Sequence, residues 1–137
     1  MKRSLLCVSA LVLLAMAAGC GGPRVMGGMG LDERMRTELY FGRSMPGGGG
    51  VSEEAWAAFV AEEITPRFSD GLTVEDAHGQ YLNNEGELVH ERTKVVTLIH
   101  RDTPQARIDL LNIIFAYKRR FEQESVLRVT QGVWVSF

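Results

Sequence analysis

Residues 88–100 read LVHERTKVVTLIH and residues 104–121 read PQARIDLLNIIFAYKRRF, joined by Arg101-Asp102-Thr103. The first run is rich in β-branched residues and reads as a strand from Leu88 to His100. Thr103 then supplies a cap and Pro104 a first helical residue with fixed φ, which opens a helix to about Phe121. Placed at 100° per residue, Ile108, Leu110, Leu111, Ile114, Phe115, Tyr117 and Phe121 cover about half of that helix, wider than the minimal stripe of a surface helix. Deep packing is the expectation, with Leu111 and Phe115 in the core.

Upstream of this strand and helix, Asp70-Gly71 turns the chain into a strand that starts at Leu72-Thr73-Val74 and runs towards Gln80 and Tyr81, with a bulge expected at Gly79. Asn83 to Gly86 makes a hairpin tip back to Leu88. Earlier still, alternation in Thr37-Glu38-Leu39-Tyr40-Phe41 gives a strand ended by Gly42 and the Pro46 to Gly50 loop. Ser52 is a natural N-cap with Glu53 and Glu54 in the first turn, and Trp56, Phe59, Val60 and Ile64 share a face until Pro66 stops the helix. Downstream, Ser125 to Val129 is a last strand, which Gln131-Gly132 interrupts as a bulge before Val133, Val135 and Phe137.

The order is βαββαβ, and the halves answer one another: Arg43, Arg67 and Phe68 correspond to Arg101, Arg120 and Phe121. Two split βαβ units of this kind predict an α+β, ferredoxin-like sandwich over residues 37–137, a four-stranded antiparallel sheet with two helices on one face. The other sheet face then has to be explained. Strand three is apolar on both sides, so an uncovered face would leave Val96 and Leu98 in water unless a second copy, a partner, or the chain's own tether or tail lies over it.

The first residues carry a different message. Lys2 and Arg3 precede an apolar stretch from Leu5 to Ala18, and Ala17-Ala18-Gly19-Cys20 is a lipobox-like close. The stretch falls short of the roughly 20 apolar residues of a membrane-spanning helix and reads as a leader over residues 1–19, with Cys20 the acylated new N-terminus. A common secretory leader cut nearby is the competing reading. Cys7 leaves with the leader, so the mature chain holds one thiol and forms no internal disulfide. Residues 20–36, rich in Gly and Met, read as a lipidated tether with a root-mean-square reach of about 20 Å.

Several functional classes recede on composition. Losing Lys2 and Arg3 takes 15 basic residues to 13 against 17 acidic, a net charge of −4. A mildly acidic chain with scattered basic residues lacks the footprint of a nucleic-acid binder. His78, His90 and His100 have no metal-ligand spacing, and neither metal nor cofactor is called for. There is no nucleophile elbow, and Gly47 to Gly50 lacks the lysine of a phosphate loop.

Five polar residues stand out as candidates for a ligand pocket. Tyr40 shares a strand face with Glu38, opposite Leu39 and Phe41, and Lys94 is expected on that same open face with Arg128. Arg67 and Gln80 sit near the turns flanking it. Lys118 falls inside the apolar arc of its helix, where a buried amine could lose its charge, although a packed stem with its ammonium reaching water explains it equally.

As a set, Arg36-Thr37-Glu38-Leu39-Tyr40-Phe41-Gly42, Thr65-Pro66-Arg67-Phe68, Asp70-Gly71-Leu72-Thr73-Val74, Asp76 to Gln80, and Tyr117-Lys118 through Phe121 to Val129 resemble the bacterial lipoprotein family known as domain of unknown function 3574. The resemblance spans nearly all of the mature domain and implies export, a lipid anchor and no established reaction. The expected role is a noncatalytic envelope lipoprotein that binds a partner or small ligand, on the periplasmic face of the outer membrane if the envelope has one. A small enzyme with a pocket closed by dimerisation is the alternative, and a purely structural component is third.

Overall fold

The computed structural model describes residues 30–82 and 85–137. The leader, Cys20 and most of the expected tether lie outside these residues, as does part of the hairpin tip at residues 83–86. Strand β1 spans Asp32–Gly42, helix α1 Glu53–Phe59, β2 Thr73–Leu82, β3 Leu88–His100, α2 Pro104–Phe121 and β4 Leu127–Val135. The sheet is antiparallel in the order β2-β3-β1-β4, the arrangement expected of a ferredoxin-like chain. β1 starts earlier than the sequence suggested: Asp32 to Arg36, assigned to the tether, pair with Val135 to Gln131.

Both helix starts follow from local chemistry. The Ser52 hydroxyl accepts from the Ala55 amide at 3.1 Å, and the Thr103 hydroxyl accepts from the Ala106 amide at 3.1 Å, with Pro104 behind it. After Phe59 the first helix widens into a π turn over Val60–Ile64, closed by the Thr65 amide on the Val60 carbonyl at 2.9 Å. The wide turn keeps Ile64 buried beside Phe59. α2 ends where Glu122 takes a left-handed conformation and donates its amide to Lys118.

Register assigns the faces. Thr37, Leu39 and Phe41 stand opposite Leu98, Val96 and Lys94, and all six are buried. Directly opposed residues share a sheet face, so this is the face beneath the helices. Val96 and Leu98 are therefore core residues and not the open-face residues expected. Lys94 moves with them, and Arg128, opposite Leu39, follows. The open face carries Arg36, Glu38 and Tyr40 with Ile99, Thr97 and Val95.

The core centres on an aromatic group. Phe41 lies 4.6 Å from Tyr117 and 5.3 Å from Trp56, centroid to centroid, and Phe59 lies 5.1 Å from Tyr117. α2 turns Leu110, Ile113, Tyr117 and Phe121 inward, whereas Leu111 and Phe115 are exposed, at 44% and 59%. Their expected burial is wrong because α2 is apolar on both sides, and the centre of a wide arc does not say which half meets the sheet. Neither expected bulge forms: β2 and β4 pair without interruption through Gly79 and through Gln131-Gly132.

Candidate functional site

On the open face, β1 sets Arg36, Glu38 and Tyr40 in one row by simple alternation. Tyr40 donates its hydroxyl to Glu38 Oε2 at 2.9 Å, and Arg36 Nη2 lies 2.5 Å from Glu38 Oε1. The hydrogen bond to Glu38, more than desolvation, holds the Tyr40 phenol above its usual pKa. Arg36 Nε is buried and has no hydrogen-bond partner.

Apolar neighbours frame this polar row. Tyr40 stands between Val95 on β3 and Leu127 on β4, Glu38 between Thr97 and Val129, and Arg36 between Ile99 and Gln131. Leu127 is 60% and Val129 43% exposed, so neither helix nor loop covers them. Open clefts flank the row. One of about 560 Å³ is lined by Tyr40, Tyr81, Glu91, Thr93 and Leu127. Another of about 560 Å³ at the opposite end is lined by Arg34, Thr73, Ile99, Arg101 and Phe137.

Beneath the helices lies a second polar cluster. Lys94 Nζ reaches Asp76 Oδ1 at 2.7 Å and Glu53 Oε2 at 3.1 Å, while Arg43 pairs with the other Glu53 oxygen. Arg43 also donates from Nε to the Val51 carbonyl at 3.0 Å, and Val51 returns its amide to the Arg43 carbonyl at 2.9 Å. This closes the loop that Gly47, Gly48 and Gly49 turn with positive φ. The two buried cations are thus taken up in holding α1 and the loop to the sheet.

A third set runs through the buried edge of β1. His100 Nδ1 donates to the Arg101 carbonyl at 2.9 Å, since a carbonyl can only accept, and the Thr37 hydroxyl meets Nε2 at 2.9 Å. Thr130 Oγ1 lies 3.2 Å beyond Thr37 Oγ1. His100 also packs against the Phe68 ring at 5.4 Å.

The five candidate residues are therefore not gathered into one pocket. Tyr40 is on the open face and Lys94 on the opposite one. Arg67 is held at the end of the π turn by the Glu63 carboxylate at 2.9 Å. Gln80 is exposed on edge strand β2, across from His90. Lys118 is half-buried on α2. Alternation along β1 pointed to Glu38 beside Tyr40, but the unpartnered Arg36 Nε depends on packing that no local pattern carries. Among the described residues no group of three or more His, Cys, Asp or Glu could hold a metal, and no helix is long and apolar enough to cross a membrane.

Residues 36–137 match the family described as Protein of unknown function (DUF3574), and the chain belongs to that family. No curated protein matches the chain. Among solved structures, a phage SAM lyase in complex with S-methyl-5'-thioadenosine is similar, with a TM-score of 0.59 and 14% identity over 76% of this chain and 90% of that one. A putative PII-like signaling protein from Thermus thermophilus is similar with a TM-score of 0.50 and 16% identity, over 79% of this chain and 94% of that one. At these identities the likeness is one of fold, the four-stranded antiparallel sheet with two helices.

Proposed function

We propose that this member of the family is an exported, lipid-anchored envelope protein that acts as a noncatalytic binding module and takes its ligand or partner on the open sheet face. The observation that carries the reading is Arg36 Nε, a buried donor with no acceptor, set between exposed apolar side chains on a face that the chain leaves open. A buried unpaired N–H is unfavourable by about 1–3 kcal/mol, which a ligand acceptor would recover. The lipobox-like close at Cys20 supports the address. A catalytic role has less support: the raised Tyr40 pKa keeps the phenol protonated at neutral pH, so it is a poor base beside Glu38.

Two measurements test this reading. Native mass spectrometry of the protein purified from membranes is expected to show a retained small molecule or a second chain, lost in Leu127→Asp. A protein that is empty and monomeric whether or not Leu127 is changed would sink the open-face assignment. Cys20→Ala is expected to accumulate as the unacylated precursor, and normal lipidation of that variant would remove the anchor. Turnover of a retained molecule would move the chain among enzymes.

A further inference from the structure

α2 has two apolar sides. The inner row of Leu110, Ile113, Tyr117 and Phe121 fills the core, while Ile108, Leu111 and Phe115 form an outer row that is 52%, 44% and 59% exposed. Spacings of three and four residues keep the outer row on one stripe, pointing away from the sheet. A helix apolar on both sides needs cover on both. At 100° per residue, Arg107 and Lys118 border the stripe on one side and Arg119 on the other, while Asp109 lies towards the core side. Arg107 shares its charge with Asp102 at 2.7 Å. Lys118 and Arg119 have no ion pair among the described residues.

We infer that the outer face of α2 lies on an anionic lipid surface, an orientation that rests on the lipid-anchored reading above. An apolar stripe with Phe and Leu at its centre and basic residues along its borders is the pattern of a helix lying in a membrane interface. A second copy fits less well. Pairing this stripe with itself about a two-fold axis would set Arg107, Lys118 and Arg119 of one chain against the same cations of the other.

Chain geometry brings the stripe within reach. β1 begins at Asp32 and its Met35 pairs with His100, the last residue of β3, four residues before α2 opens at Pro104. The start of the domain and the start of α2 therefore share one end of the sheet. From Cys20 to Asp32 the chain spans at most about 40 Å, at roughly 3.3–3.6 Å per residue. A domain of this size has a radius of gyration of about 13 Å, so an acylated Cys20 keeps α2 close to the bilayer. With α2 on lipid, Arg36, Glu38 and Tyr40 face the water on the far side.

The full chain, purified from bacterial membranes and placed in vesicles of phosphatidylcholine and phosphatidylglycerol, provides the test. A nitrobenzoxadiazole label on Phe115→Cys is expected to be quenched by nitroxide lipid and shielded from iodide, whereas the same label on Tyr81→Cys stays open to iodide. Lys118→Gln and Arg119→Gln should each weaken this docking about fivefold. The mass of the N-terminal peptide reports acylation separately. An acylated, vesicle-bound protein whose position 115 is as open to iodide as position 81 overturns the inference alone. A disulfide between two copies at position 115 in place of lipid quenching does the same. If the chain is unacylated but still floats with vesicles, and Phe115→Glu abolishes flotation, the helix contact stands while the anchor fails. If it is unacylated and does not float, both fail.

Discussion

Lys94 Nζ stands 2.7 Å from Asp76 Oδ1, across the β2–β3 pair and on the helix side of the sheet. The Lys94 side chain is 7% exposed while Asp76 is 70% exposed, so the two partners carry unequal risks. Removing the lysine leaves carboxylates that water can solvate. Removing the carboxylates leaves a buried ammonium with nothing to replace them.

The first prediction is that Lys94→Met lowers the urea midpoint only slightly, whereas Glu53→Gln with Asp76→Asn lowers it strongly. Hydrogen bonds from Arg43 and then Lys94 depress the Glu53 pKa, one from Lys94 depresses Asp76, and one from Asp76 raises Lys94. The carboxylate contribution is present above the unfolded pKa values of about 4 and is lost as pH falls through the lower folded ones. The Lys94 contribution is present below about 10.4 and is lost as pH rises through its higher folded pKa. The wild-type midpoint should be flat from about pH 5 to 10 and fall at both ends. In the double variant the unpaired Lys94 has a lowered folded pKa, so stability should climb with pH on the alkaline side. An alkaline limb that falls as in wild type would show that Lys94 does not depend on these partners.

Tyr117 and Phe115 make the second prediction, as a contrast two residues apart. Tyr117 is fully buried in the aromatic group and donates its hydroxyl to the Gly42 carbonyl at 2.8 Å. Tyr117→Ala should cost about 3–5 kcal/mol and Tyr117→Phe about 0.5–1.5 kcal/mol. Phe115→Ala in soluble assay conditions should stay near 0.5 kcal/mol. Denaturant unfolding of the three variants decides it, and a Phe115 loss equal to that of Tyr117 would contradict the inward row of α2.

Third, Thr37→Val should destabilise by about 1–3 kcal/mol, because it leaves His100 Nε2 and the Thr130 hydroxyl without their buried partner. Nitrogen NMR of the imidazole should show the proton on Nδ1 in the neutral ring. A proton on Nε2 would reverse the donor order through Thr37.

A fourth prediction concerns Gly42, which lies against the Glu91 carboxylate. A Cβ at Gly42 would come within 2.5 Å of Glu91 Oε1. Gly42→Ala should therefore disturb the Ser44 amide bond to Glu91, and adding Glu91→Ala should recover part of the loss. Thermal unfolding of the single and double variants reads this directly, and equal losses in both would remove Glu91 as the cause.

The βαββαβ order and both helix starts were readable because each rests on a few adjacent residues: Ser52 ahead of two acids, Thr103 ahead of Pro104, Asp70-Gly71 at a turn. Face assignments were harder. Val95 to Ile99 offers an apolar residue or threonine at every position, so period alone cannot choose between Val95 and Val96, and pairing with Leu39 makes the choice. Lys94 was misplaced for the same reason. Gly79 and Gly132 look like breaks in a strand, yet an unbroken ladder tolerates a glycine when both neighbouring residues pair. Of the site, Tyr40 and Glu38 followed from alternation, while Arg36 Nε became conspicuous only when its surroundings were assembled.

The π turn at Val60–Ile64 makes the first helix a phase shifter. Deleting one residue there would let the helix continue with ordinary spacing, rotating all that follows by about 100°. Ile64 would leave the core, Arg67 would swing off Glu63, and the contact of Glu62 with Arg120 would be lost. Chains of this lineage should therefore tolerate length changes in the glycine loop before Val51 far more readily than within these five positions, where a single residue sets the angle at which α1 hands the chain on to β2.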